Sequence, residues 1–198
     1  MILLGAAAAP PALADPWPGG IDPNGILVHP DSGDHWYCVN TSGEYGMPAH
    51  IANNARAVTD DALGARTQAV TRYESTCDLT TGDGDGRSDT VWVEAFWEYG
   101  VLGVAYCNGM NSNGTCDRID ALLSETEINY FASNDENEYT HTACHELGHT
   151  VGLRHYDGAP PSDIGGVNDC MNSGVHDSGN ILWRTYNSHH VGHINAWF

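Results

Sequence analysis

The sequence contains no lysine, and its 26 acidic residues face only seven arginines, giving a formal net charge of −19. A nucleic-acid partner is excluded on that balance, because binding phosphates with release of counterions needs a positive surface. The acidic field can attract basic peptides, and it also favours a well-solvated surface. Long apolar runs are equally scarce. Beyond the N-terminus nothing approaches the roughly eighteen uninterrupted apolar residues of a membrane span, so no membrane partner is predicted. No long Pro-, Ser- or charge-rich linker and no internal repeat divides the 198 residues, a length that suits one well-buried domain. The six cysteines include no C-x-x-C pair, which argues against cysteine-ligated zinc.

The chain opens with apolar residues, Met1 to Ala9, and Ala12-Leu13-Ala14 has the small residues of a cleavage site before Asp15. Residues 1–14 are therefore read as a secretory signal, although the basic n-region is missing. An exported, extracellular chain with six cysteines carries up to three disulfides, with fifteen connectivities open to it.

The densest chemistry lies in His145-Glu146-Leu147-Gly148-His149-Thr150-Val151-Gly152-Leu153-Arg154-His155. Histidines four apart on a helix sit about 40° apart around its axis and roughly 6 Å along it, so His145 and His149 can reach one ion. Glu146 points partly sideways and can hold a water on that ion without occupying a coordination position. Gly152 can take the positive φ that ends a helix, letting the chain turn so that His155 approaches from outside. Three imidazoles then leave one position open. His141 extends the stripe one turn back, but holding it and His149 on one ion would need a span of about 12 Å, so it is read as a flanking residue. Solvated histidines on a surface helix are the plain alternative, which the full eleven-residue pattern outweighs.

With those residues the chain resembles the metzincin clan of zinc endopeptidases, whose extended motif is matched at His145, Glu146, His149, Gly152 and His155. Around Met171, sixteen residues beyond His155, Asp169-Cys170-Met171-Asn172-Ser173-Gly174 is similar to the clan's methionine turn, which would make Met171 the floor of the site. Ser173 stands where some groups carry a zinc-reaching tyrosine, and Tyr156 after the third histidine leaves the subgroup open. The resemblance implies an α+β catalytic domain over residues 15–198, with a short N-terminal extension. It would have a mixed twisted sheet, an active-site helix, the methionine turn and a C-terminal helix.

The residues can be read in that order. His35 to Asn40 forms a first strand, Pro48 to Gly64 a helix, and Gln68 to Cys77, Thr90 to Trp97, Val101 to Cys107 and Ile119 to Leu123 further strands. Tyr139 to Leu153 is the active-site helix and Asn180 to Phe198 the closing one. Cys107 and Cys116 enclose an Asn/Gly-rich loop and could staple a hairpin. In a metzincin fold a Cys144–Cys170 bridge would tie the helix to the methionine turn, which leaves Cys38 with Cys77.

The resemblance further implies peptide-bond hydrolysis. Zinc brings the pKa of a bound water to about 7 and polarises the scissile carbonyl, while Glu146 takes the proton and passes it to the leaving nitrogen. Leu102-Gly103-Val104-Ala105 resembles the edge strand along which an extended substrate adds, and a purely structural strand fits those residues equally well. Asp83, Asp85 and Asp89 lie around a glycine bend like the start of a calcium loop, but the closing position falls on Glu94, within the expected Thr90 to Trp97 strand, and a plain polar turn fits equally. His189, His190 and His193 have the spacing of a second metal site without an accompanying carboxylate, so packing of the last helix is the expectation. His29, His35, His50 and His176 are isolated and receive no role. The reading is a secreted, monomeric zinc endopeptidase acting on proteins or peptides, with calcium as a candidate second ion. The alternative is a non-catalytic extracellular domain stabilised by zinc or calcium, against which an intact Glu146 argues, since a structural zinc needs no base.

Overall fold

Residues 30, 32–79, 88–153 and 169–198 are described in the computed structural model. The proposed leader, Asp83, Asp85 and His155 lie outside them. β1 (His35–Val39) leads to α1 (Ala49–Val58), which continues as a π-helical segment, Thr59–Gly64. Strands β2 (Thr71–Glu74), β3 (Thr90–Glu94), β4 (Gly103–Met110) and β5 (Cys116–Leu123) follow. Then come α2 (Glu125–Phe131), α3 (Asp135–Thr150), a 3-10 turn (Ile181–Arg184) and α4 (Ser188–Trp197). The five strands form one mixed sheet in the order β2-β1-β3-β5-β4, parallel except for β4 against β5. The fold is α+β, as the sequence predicts.

Register explains where the core sits. Val39 lies opposite Trp92, Trp92 opposite Ala121, and Ala121 opposite Ala105, so these side chains share one face of the pleat. On that face Tyr37, Trp92, Ala121 and Leu123 pack with Ile51, Ala55 and Val58 of α1 and with Ala143, Cys144 and Leu147 of α3. The opposite face holds Cys38, Val91 and Leu122, also buried. Asp120 is buried too, and its carboxylate accepts from Asn108 Nδ2 at 2.5 Å and Arg118 Nε at 2.9 Å, which offsets its loss of water. All three cysteine pairings are made: Cys38–Cys77, Cys107–Cys116 and Cys144–Cys170. Among the described residues no helix is long and apolar enough to cross a membrane.

Several boundaries differ from the sequence reading for local reasons. β2 covers only Thr71–Glu74, because the amides of Gln68 and Ala69 bond Asn195 Oδ1 and Thr67 Oγ1 instead of a neighbouring strand. α3 starts one turn before Tyr139, since Asn134 caps it by accepting from the Asn137 amide. The closing segment is split: a 3-10 turn gives way to α4, whose cap Asn187 accepts from the amides of His189 and His190. Helix α2 was not anticipated, although Ser124 accepts from the Glu127 amide in the Ser-x-x-Glu pattern of a capped start.

His35 gives the fold an acid-sensitive point. Its ring is buried with Nε2 3.2 Å from Thr90 Oγ1, and burial lowers its pKa from 6.5 to about 4. The unfolded chain therefore binds the proton more readily between those values, so this contribution is complete above pH 6.5 and is lost as pH falls towards 4. Denaturant titrations from pH 7.5 down to 4 should show the wild type losing about 2–3 kcal/mol more than His35→Gln. Equal acid losses in the two proteins would refute the assignment.

Candidate metal centre

Helix α3 carries the motif and is held at both ends. Asp135, Glu136 and Glu138 lie in its first turn, where carboxylates suit the helix dipole. At the other end Gly152 takes φ +95°, the Leu153 amide donates to Gly148 C=O, and the Gly152 amide donates to His149 C=O. Those two bonds make a Schellman stop, the turn that the glycine's position foretells.

The motif's two histidines on this helix, His145 and His149, are oriented by backbone carbonyls. His145 Nδ1–H donates to Cys170 C=O at 2.8 Å, and His149 Nδ1–H donates to Leu153 C=O at 2.8 Å. A carbonyl only accepts, so in both rings Nδ1 carries the proton and Nε2 keeps its lone pair. The ring centroids are 4.9 Å apart at 84°. This donor set suits zinc, whose histidine ligands commonly give their second N–H to a carbonyl or carboxylate.

The turn that supplies Cys170 C=O is itself fixed. Asp169 accepts from the Met171 amide through Oδ1, and through Oδ2 from the Asn187 amide at 2.9 Å and His190 Nδ1 at 2.6 Å. The Cys144–Cys170 disulfide fastens the same turn to α3, and Tyr186 donates its hydroxyl to Cys144 C=O at 2.9 Å. Met171 is fully buried against the helix, and a Cβ on Gly148 would come within 2.1 Å of its Sδ. The motif's inner glycine thus lets the helix and the methionine approach.

Glu146 is buried, and burial pushes its carboxyl from 4.5 up to about 8. Its Oε2 has no hydrogen-bond partner. Opposite it lies Gly103, where a Cβ would fall 2.8 Å from Glu146 Oε1 and 2.7 Å from Thr142 Cγ2. Gly103, Val104 and Ala105 belong to β4, at the end of the sheet, whereas Leu102 precedes the strand and uses its C=O for the Ser124 amide.

Other expectations resolve separately. Asp89 Oδ2 accepts from the Trp36 amide at 2.6 Å, and Asp83 and Asp85 lie outside the described residues. His190 is a packing residue through Asp169, while His189 and His193 stand with Nε2 atoms 3.3 Å apart. His176 is not isolated: its ring stacks on Trp183 at 4.0 Å and meets His141 edge-on at 4.7 Å. Sequence reasoning missed Tyr186, the approach of Gly103 to Glu146 and the bonds of Asp169 to Asn187 and His190, because these contacts are distant in sequence.

No family model and no curated protein matches the sequence. Among solved structures the chain is similar to archaemetzincin from Methanopyrus kandleri, at 17% identity over 86% of this chain and 98% of that one, with a TM-score of 0.46.

Two predictions test this construction. Gly148→Ala should destabilise the protein by about 1–3 kcal/mol, the usual cost of overpacking a filled core, and lower its zinc affinity. A variant matching the wild type in both denaturant midpoint and zinc affinity would show that Met171 yields freely. For Glu146 the sign is opposite to that for His35: its folded pKa lies above the unfolded value, so the cost of burying its charge grows as pH rises from 4.5 to 8. In chelator-treated protein at pH 7.5, Glu146→Gln should be more stable than wild type by an amount on the order of 2–3 kcal/mol, and the gap should close near pH 4.5. A gap independent of pH would remove the charge as its cause.

Proposed function

We propose that this protein is a secreted, zinc-dependent endopeptidase of metzincin type. The observation that carries the reading is the pair His145 and His149, each with Nδ1–H given to a backbone carbonyl, beside a buried Glu146 that faces the end strand of the sheet. His155 would complete the ligand set. A structural zinc normally takes four protein ligands and has no use for an adjacent carboxylate, whereas three histidines with a glutamate suit hydrolysis. Three disulfides agree with an oxidising compartment outside the cell.

Zinc, when bound, supplies Lewis acidity that acidifies water and polarises a carbonyl. Glu146 then takes the proton of the attacking water and returns it to the leaving nitrogen. Burial raises the pKa of its carboxyl in the metal-free chain, and a cation beside it would favour the ionised form that accepts the proton. An extended substrate pairs along β4 at Gly103, Val104 and Ala105, which places its backbone beside Glu146. Gly103 has a reason to be glycine there, because any side chain would displace the base.

Hydrolysis of a denatured protein by the purified chain should fall by about two to four orders of magnitude in Glu146→Gln, with zinc content unchanged. Gly103→Ala should likewise keep its zinc and lose at least about tenfold in rate, because Glu146 must move. Undiminished cleavage by Glu146→Gln would refute the assigned base. A folded, zinc-loaded wild type that cleaves no protein substrate would favour the non-catalytic alternative.

A further inference from the structure

Glu138 is a completely buried carboxylate on α3, about two turns before His145. Its Oε1 accepts from Thr142 Oγ1 at 3.0 Å and from His141 Nδ1 at 2.9 Å, and its Oε2 accepts from the His176 amide at 2.7 Å. With Nδ1–H committed to the carboxylate, His141 keeps its lone pair on Nε2. That atom is buried and has no hydrogen-bond partner, and the same holds for Nε2 of His176. The His176 ring is clamped flat against Trp183, with centroids 4.0 Å apart at 16°.

The two rings stand 4.7 Å apart at 90°, against 4.9 Å and 84° for His145 and His149. Imidazoles meeting on one tetrahedral ion at about 2.1 Å have centroids roughly 5 Å apart, so both pairs have the separation of joint ligands. Two buried imidazole nitrogens left unsatisfied side by side are costly, and a bound ion is one of the few groups that would answer both. We propose that His141 and His176 form a second zinc site, in which Glu138 orients His141 as a carboxylate behind a ligating imidazole.

This ion is distinct from the one held by the motif, because His141 and His149 are about 12 Å apart along the helix. It would join α3 to the segment that follows the methionine turn. With only two protein ligands its remaining positions go to water. Imidazole donors select zinc and its first-row neighbours over magnesium or calcium.

The test is zinc stoichiometry of the full chain, stripped with chelator, dialysed against buffered zinc and measured by elemental analysis. Wild type should bind two ions, His149→Gln one, His176→Gln one, and the double variant none. His141→Gln should repeat the His176→Gln result, and circular dichroism checks that each variant is folded. A wild type that binds one ion, lost in His149→Gln and kept in His176→Gln, overturns the second site and leaves the proposed peptidase standing. One ion lost only in His176→Gln supports the second site and tells against the motif's zinc instead. A second ion that survives His176→Gln and leaves with His189→Gln overturns the assignment in favour of the pair on α4.

Discussion

The approach of α3 to the turn at Asp169, Cys170 and Met171 is the contact on which the candidate centre depends. Four independent features hold it: the Cys144–Cys170 disulfide, the His145 Nδ1–H bond to Cys170 C=O, the Tyr186 hydroxyl on Cys144 C=O, and Met171 seated where Gly148 has no side chain. They fall within about one turn of the helix, at Cys144, His145 and Gly148. Asp169 extends the same assembly outward, tying the turn to the start of α4 through Asn187 and His190. The closing helix therefore contributes to the site without contributing a ligand.

The sequence made the reactive groups legible because they are dictated by helical spacing: His145, Glu146 and His149 fall on α3, and Gly152 stops it with a positive φ. Apart from α2, the order of strands and helices along the chain was readable from β-branched runs and helix ends. What could not be read were partners with no side-chain signature. The acceptors for both motif histidines are backbone carbonyls, and any residue type would supply one. Gly103 and Gly148 look like ordinary glycines until the chain folds and puts Glu146 and Met171 against them. His176 looked solitary because the groups it meets, His141 on α3 and Trp183 in the 3-10 turn, come near it only through the tertiary fold. Helix α2 was readable in principle from Ser124 and Glu127, but its seven residues are too few for a periodic pattern.

Charge is distributed so that the acidic excess does not enter the core unsupported. Of the seven arginines, Arg66, Arg72 and Arg118 are each paired with an aspartate. Inside, Asp120, Asp169 and Glu138 each accept two or more hydrogen bonds, which replace the water they give up. A folded state with a net charge of −19 would otherwise gain little from burying carboxylates.

Glu146 is the exception, and its neighbour Glu138 shows why that matters. Both are buried on the same helix, two turns and one residue apart, yet Glu138 is surrounded by donors while Glu146 meets the hydrogen of Gly103 and leaves Oε2 without a partner. Nothing within the described chain compensates a negative charge there, and its carboxyl is accordingly pushed up to about 8. A carboxylate placed in this way is held at a cost unless a cation comes beside it, since an opposite charge a few ångströms away favours the ionised form. The histidine nitrogens one residue before and three residues after it are oriented to bring one. In the proposed peptidase, the zinc held by those histidines would be the cation that makes the charged form of Glu146 favourable.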